Sequence, residues 1–398
     1  MKPKVSVIIP TFNRANLIPV AIKSVINQTY HAFELIIVDD GSIDNTKEVV
    51  SSLRKDERIR YIWQENQERA VARNTGITAS RGEYISFLDS DDEYLPNKLT
   101  AQISVLEENP DIGIVFGGCI ESDETGEYSR EIKPWIYHPS PEYSLKEWLF
   151  SSPIYFSVSM VRRTCLERTA LFDPQIKRAE DIDLMFRLIY SGCKPAWVKE
   201  PVWKFKPHIQ EPVLYRENYL KIIEKAYNIP GMEEKLGINK AQACAYAYIS
   251  SAYYAFLSSD LSEGKTALAA SADLDPSLAE YSDSRIVTKL VEGAWSAITD
   301  NPVLFIQEVF INLPDSLNNV RARRNWAYSR AWMSEAIRSY RNNHPKEARR
   351  AVLKAISNDP KLLFNRGMLA ILGNSTFNLG KPARLRDRSR QPSESKEL

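Results

Sequence analysis

The first half of the chain alternates between short, almost unbroken apolar runs and stretches whose apolar residues recur every three or four positions. The apolar runs predict strands near residues 5–9, 35–39, 60–63, 84–88 and 112–117. Between them lie three helical patterns. One carries Ile18, Ala21, Ile22, Val25 and Ile26. A second carries Ala70, Arg73, Asn74 and Ile77 and closes at Gly82. The third opens at Pro96 and carries Leu99, Ile103 and Leu106. That spacing puts the apolar members of each helix on one face. Strands alternating with helices imply an α/β domain, Rossmann-like, with a mostly parallel sheet covered on both sides. Residues 121–150, with Pro134, Pro139 and Pro141, read as an irregular excursion.

After about residue 213 the strand signals stop, and Ala, Leu, Tyr and Trp recur at helical spacing. The stretch from Ser262 to Asp275-Pro276 matches the stretch from Lys346 to Asp359-Pro360, 84 residues later. The same offset carries Ala247, Tyr248 and Ala252 onto Ala331, Trp332 and Ala336. Each unit reads as two helices ended by Asp-Pro, an all-α helical hairpin that resembles the tetratricopeptide type. Two units are too few for a free solenoid. The expected division is 1–213, 214–380, and a charged Pro/Ser-containing tail at 381–398 without order of its own.

The candidate chemistry lies at strand ends. Tyr84 to Leu88 runs into Asp89-Ser-Asp91-Asp92. Three carboxylates at the end of a buried strand are costly unless a cation neutralises them. Ligands bind at the carboxyl ends of strands in such sheets, so the economical reading is a divalent metal held together with nucleotide phosphates. A solvated acidic turn capping the next helix is the equal alternative from this run alone. Leu35 to Val38 ends in Asp39-Asp40-Gly41-Ser42, with Asp44 or Asn45 placed to cap the helix carrying Val49, Val50 and Leu53. The first strand ends in Pro10-Thr11-Phe12-Asn13-Arg14. Three such strand ends point to a composite nucleotide site.

Val5–Arg14, Ile37–Ser42, Ala72-Arg-Asn-Thr-Gly76 and Phe87–Asp92 together resemble the family 2 glycosyltransferases, inverting enzymes of the GT-A fold that use nucleotide sugars. The resemblance covers about residues 4–210. It implies that Asp40 contacts the base, usually uracil, and that the Pro10-Thr11 turn packs around the nucleoside. It implies that Asp89 and Asp91 form the DxD motif, with Mn²⁺ or Mg²⁺ on the diphosphate. Glu180-Asp181, at the start of a helix carrying Leu184, Met185, Leu188 and Ile189 and ended by Gly192, looks like the family's ED motif. Asp181 would be the base that takes the acceptor proton. Two alternatives stay open: that Glu180 is the base, and that both acids only complement the helix dipole. Arg73 reaches the diphosphate or is a surface residue. His208 completes the metal shell or is structural. Trp135, Tyr137, Trp148 and Tyr155 are candidates for an aromatic platform under a sugar ring, or core. The QxxRW motif of processive relatives is not found after residue 181, which suggests single-sugar transfer. The expected partners are a nucleotide-sugar donor, UDP-linked, and a glycan or lipid-linked acceptor in cell-surface polysaccharide synthesis. The helical half is expected to bind the acceptor, a protein, or an anionic membrane surface, the last through Arg321, Arg323, Arg324, Arg384, Arg386, Arg388 and Arg390.

Composition narrows this further. The 398 residues fit two or three domains, and 43% apolar content is enough for real cores. A net charge of +1 gives no global field for nucleic acid. Cys119, Cys165, Cys193 and Cys244 show no CxxC pair, so they suggest neither a zinc site nor a disulfide frame, and imply a reducing, cytoplasmic setting. No signal peptide and no membrane-spanning run is expected. Two other classes compete. A nucleotidyltransferase should show a Gly-rich, basic phosphate loop after the first strand. An interaction protein with an inactive first domain would have no reason to hold Asp40, Asp89, Asp91 and Asp181 together.

Overall fold

Val, Ile and Leu runs that stay buried on both faces make the central strands. In the computed structural model these are β1 (Val5–Thr11), β2 (Phe33–Asp39) and β4 (Tyr84–Phe87), with the half-buried β3 (Ile59–Trp63) at the sheet edge. The structure describes residues 2–53, 56–123, 129–136, 142–150, 155–280, 283–296 and 298–377. The expected tail at 381–398, Tyr137, and Arg384, Arg386, Arg388 and Arg390 lie outside the described residues, as does part of the 121–150 excursion.

Two compact units form. The first holds residues 1–121, 130–206 and 224–237; the second holds 122–129, 207–223 and 238–398. In the first unit the sheet continues through β5 (Glu93–Tyr94), β6 (Ile112–Ser122), β7 (Ser129–Ile132), β8 (Met160–Arg162) and β9 (Lys194–Phe205). The strand order is β3-β2-β1-β4-β8-β6-β9-β5, with β7 beside β6. β1 pairs in parallel with β2 and β4, β2 with β3, and β6 with β9. β8 runs antiparallel between β4 and β6, and β5 is antiparallel to β9. The sheet is therefore mostly parallel but mixed, with the short strands β8 and β5 running against their neighbours.

Helices α1 (Ile18–Ile26), α2 (Thr46–Leu53), α3 (Glu68–Ala79) and α4 (Lys98–Glu108) cover the sheet. Ile18, Ala21, Ile22 and Val25 of α1 and Leu99, Ile103 and Leu106 of α4 join the strand residues in one core. Gly76 lets α3 lie flush on β1, because a Cβ there would collide with the Ile8 side chain. Further along come α5 (Leu145–Phe150), α6 (Arg163–Arg168) and α7 (Glu180–Tyr190). Cys165 of α6 and Cys193, just before β9, form a disulfide with Cα atoms 6.2 Å apart. This corrects the expectation of four unpaired cysteines, and the argument for a reducing compartment loses two of its four residues. Spacing along the chain could not show the pair, since the sheet brings α6 and β9 together. Gly113 lies against both sulfurs, where a Cβ would not fit.

α8 (Pro212–Tyr227) runs across the division and α9 (Met232–Leu236) follows in the first unit. The second unit is helical: α10 (Lys240–Leu257), α11 (Leu261–Leu274), α12 (Arg285–Trp295), α13 (Pro302–Ile311), α14 (Asn318–Ala322), α15 (Arg324–Arg341), α16 (Pro345–Asn358) and α17 (Arg366–Phe377). The repeat is structural: α10 and α11 recur as α15 and α16 at the 84-residue offset read from the sequence. The left-handed residue that turns each hairpin recurs as well, Ser259 with φ 62° and Asn343 with φ 61°. Asp275 and Asp359 each cap the 3-10 turn that follows, accepting from Ser277 and Lys361 amides at 3.2 Å. Among the described residues no helix is long and apolar enough to cross a membrane.

Candidate active site

Register decides which side chains meet. Thr11 pairs with Asp39 across β1 and β2, and Ile8 pairs with Phe87 across β1 and β4. The Pro10-Thr11 turn, Asp39-Asp40 and Asp89 therefore emerge along one sheet edge, at the carboxyl ends of the strands.

The first two turns are stitched together. Asn13 donates its amide to Ser42 Oγ at 2.8 Å and accepts from the Ile43 amide at 2.9 Å. Asp44 accepts from the Ala15 amide at 3.1 Å and caps α2 through the Thr46 amide at 3.0 Å. Asp39 is fully buried and braces its own turn, accepting from the Ser42 amide at 2.8 Å and the Tyr61 hydroxyl at 2.5 Å. Asp40, also buried, accepts from Gln64 Nε2 at 2.7 Å and the Gln67 amide at 3.0 Å. The Thr11 hydroxyl is buried and has no hydrogen-bond partner. Pro10 is half-buried near the end of β1, paired with Val38, so the strand runs two residues beyond the 5–9 expected.

Beyond β4 the three acids diverge. Asp89 accepts from Arg73 Nη2 at 2.7 Å and from Ser157 Oγ at 3.3 Å. Asp91 lies 3.7 Å from Arg14 Nη2. Asp92 is buried and accepts from Trp203 Nε1 at 3.2 Å. Burial, and then the charges of Asp89 and Asp91, hold the Asp92 carboxyl well above the usual carboxylate range. The donor set suits a hard cation: two carboxylates, Asp89 and Asp91, at a strand end whose mutual repulsion a cation would relieve. Among the described residues no three His, Cys, Asp or Glu side chains converge as a complete cation cage. Few protein ligands are what a metal shared with phosphate oxygens and water requires. His208 is exposed and belongs to the second unit.

Arg73 is not a surface residue. It is buried on α3, over the Phe172 ring at 5.3 Å, and binds Asp89 on one side and Glu180 on the other. Arg69 lies 3.6 Å from the same Glu180 oxygen. Glu180 is therefore a buried, paired carboxylate at the first turn of α7. The residue before it, Ala179, holds the left-handed conformation with φ 60° and ψ 23°, costly for a residue with a Cβ and typical of strained functional turns. Asp181, partly buried, spends one oxygen on the Ile182 amide at 3.0 Å. Burial and then the Glu180 charge push its carboxyl up to about 6, with Arg73 and Arg69 pulling the other way. Next along the helix, Asp183 is occupied by Arg187 and Lys225.

Ser157, Phe172, Gln64, Arg69 and Trp203 carry no signal in the sequence, because each acts through a contact made only on folding. Of the aromatic platform candidates, Trp148 is core, packed on Phe116 and Tyr143 with ring centroids 5.6 and 5.5 Å away. Trp135 is half-buried beside Trp197. Tyr155 is 49% exposed and packs at a tilt against Phe205, with ring centroids 4.9 Å apart.

Residues 6–169 match glycosyl transferase family 2. An uncharacterised glycosyltransferase of Methanocaldococcus jannaschii is 31% identical over 228 residues, which is 56% of this chain and 76% of that protein. An uncharacterised glycosyltransferase of Rickettsia bellii is 41% identical over 149 residues, 35% of this chain but only 21% of its own length. The GalNAc(5)-diNAcBac-PP-undecaprenol beta-1,3-glucosyltransferase of Campylobacter jejuni is 39% identical over 161 residues, 39% of this chain and 51% of that one. In solved structures, S. aureus TarS 1-349 in complex with UDP-GlcNAc shares the fold with TM-score 0.50 and 18% identity, over 85% of this chain and 92% of that one. With the Methanocaldococcus protein matched over three quarters of its length, the chain belongs to glycosyl transferase family 2.

Proposed function

We propose that the first unit moves a sugar from a nucleotide-sugar donor, UDP-linked, to an acceptor hydroxyl with inversion at the anomeric carbon. The observation that carries this is Arg73. One guanidinium ties Asp89, at the donor edge of the sheet, to Glu180, at the head of α7. Donor-side and acceptor-side acids thus share one site.

In this reading Asp40 and the Thr11 hydroxyl take the nucleoside, and the stitched turns at Asn13 and Asp44 fix where it lies. Asp89 and Asp91 would hold Mn²⁺ or Mg²⁺ against the diphosphate, which supplies charge neutralisation for the departing nucleotide. Asp181 accepts the proton of the attacking hydroxyl. Its carboxyl, raised to about 6, is ionised at neutral pH yet more basic than an ordinary aspartate. Two arginines hold Glu180 in place beside Asp181, whose carboxyl it helps to raise. A single displacement inverts configuration and needs no protein nucleophile.

The uridine assignment draws on the UDP-GlcNAc bound to the TarS structure. A lipid-linked glycan acceptor, in cell-surface polysaccharide synthesis, draws on the named substrate of the Campylobacter relative. His208 as a further metal ligand rests on the resemblance alone. The turn after β1 has no Gly-rich phosphate loop, which disfavours a nucleotidyltransferase. The test is a panel of nucleotide sugars with Mn²⁺ or Mg²⁺, measuring released nucleotide. Turnover of one donor names the base and the sugar; no turnover of any donor, with nucleotide bound, favours the inactive-scaffold reading.

A further inference from the structure

Of the cations singled out from sequence for a surface role, Arg321 and Arg323 are half-buried, Arg324 is exposed, and Arg384, Arg386, Arg388 and Arg390 lie outside the described residues. Arg321 donates to the Phe310 and Leu313 carbonyls, and Arg324 lies over Tyr328 at 5.2 Å. The basic face lies instead on α16. Lys346, Arg349, Arg350 and Lys354 line an open depression of about 430 Å³ together with Leu353 and Ser357. At 100° per residue these six positions fill one arc of the helix, and Ala348, Ala351, Val352 and Ala355 fill the opposite, buried arc. The one acid of α16, Glu347, is not among the lining residues.

Charge alone would be a solvated face. What distinguishes this one is the apolar material set among and beyond the cations. Leu353 is 49% exposed in the middle of the arc. The 3-10 turn Pro360–Phe364, which follows α16 directly, leaves Leu363 at 50% and Phe364 at 87% exposure. A soluble protein gains nothing by holding a phenylalanine that far into water, and contiguous exposed apolar side chains mark an interaction face. Cations flanking the exposed Leu353, with exposed Leu363 and Phe364 in the turn that follows, match a surface with anionic headgroups outside and hydrocarbon beneath. Nucleic acid would use the cations and stack a base on Phe364, but it leaves the aliphatic Leu353 and Leu363 in water.

We propose that the α16 face and the turn after it form a docking surface for an anionic phospholipid membrane. The cations meet lipid phosphates, and Leu353, Leu363 and Phe364 enter the headgroup boundary. This does not rest on the sugar-transfer reading, because its readout is partition and not activity.

The experiment is sedimentation of the full chain with vesicles of phosphatidylcholine alone, and of phosphatidylcholine with an equal amount of phosphatidylglycerol, at low and high salt. Binding is expected only to the anionic vesicles and is weakened by salt. Each cation replaced should weaken the partition about fivefold, so Lys346→Ala with Arg349→Ala and Arg350→Ala should weaken it on the order of 10²-fold. These side chains are exposed, so the variant should keep the parent's melting temperature. Phe364→Ser should weaken the residual binding at high salt, where the apolar contribution dominates. Equal binding to both vesicle types overturns the proposal. So does an unchanged partition in the triple variant, or loss of oligonucleotide binding in that variant while vesicle binding persists.

Discussion

Arg73 and Glu180, 107 residues apart in the chain, form a buried ion pair in which each side chain is almost fully removed from solvent. Neither could be buried alone: an isolated charge in such a place is costly, and breaking a buried pair by removing one partner typically costs about 3–5 kcal/mol. The pair also sets the charge felt by Asp181.

Arg73→Met should therefore do two separable things. The melting temperature should fall, because Glu180 loses its main partner. In whatever protein stays folded, the acidic limb of the rate profile should move to higher pH, since Arg73 lowers the Asp181 pKa. Thermal melts and a pH–rate profile check both. An unmoved acidic limb in a folded, active variant would show that Arg73 does not act through Asp181.

Asp181→Asn should keep donor binding and lose roughly 10²- to 10⁴-fold in transfer rate. Its stability should move the other way. In the wild-type chain burial and the Glu180 charge raise the Asp181 carboxyl on folding from the ordinary aspartate value to about 6. The folded state thus binds more protons than the unfolded one between those values, and stability falls as pH rises through that window. An asparagine does not titrate there, so the variant should melt higher than wild type at pH 7, with the advantage gone below about pH 4. If transfer survives in Asp181→Asn and dies in Glu180→Gln, the base is Glu180.

Asp91→Ala should reduce UDP affinity in the presence of Mn²⁺ to the metal-free level. The fold should not suffer, because removing this carboxylate relieves the like-charge pressure on Asp92. Calorimetric titration of UDP with and without Mn²⁺ reads the first effect. Metal-dependent affinity that persists in the variant removes Asp91 from the metal site.

Lys98 offers a test of the core beneath the site. It is fully buried with no carboxylate partner among the described residues, and its amine nitrogen donates to Gln102 Oε1 at 2.9 Å and the Val158 carbonyl at 2.8 Å. Burial holds its pKa well below 10.5. The unfolded chain binds the extra proton between the depressed value and 10.5, so stability should rise with pH across that window. Lys98→Met should flatten that slope. A wild-type and a variant curve of equal slope, from denaturant titrations at several pH values, would falsify the assignment.

How far the sequence could be read follows from how local each signal is. β1, β2 and β4 are continuous apolar runs, and the helix faces of α1 and α4 repeat at three and four, so both were legible. The 84-residue repeat was legible because it preserves the residues as well as the helices. β5 and β8 were not, since two and three residues are too short to carry a period. β9 was not, because Pro195 and Pro201 interrupt it and its pairing with β6 slips register. In the site, Asp40, Asp89, Asp91 and the Glu180-Asp181 pair stood out as acids at element ends. Arg73 was visible as a cation but not as a buried bridge, and the Trp203–Asp92 contact spans 111 residues. Such contacts have no local pattern to betray them.

The bond between Cys165 and Cys193 closes a loop of chain, and Glu180 and Asp181 lie within it. Topologically the acid pair belongs to a macrocycle and not to a linear segment. A single proteolytic cut between residues 166 and 192 would leave both flanks of α7 covalently joined. The nicked protein should migrate as one species until a reductant is added, and only then as two fragments.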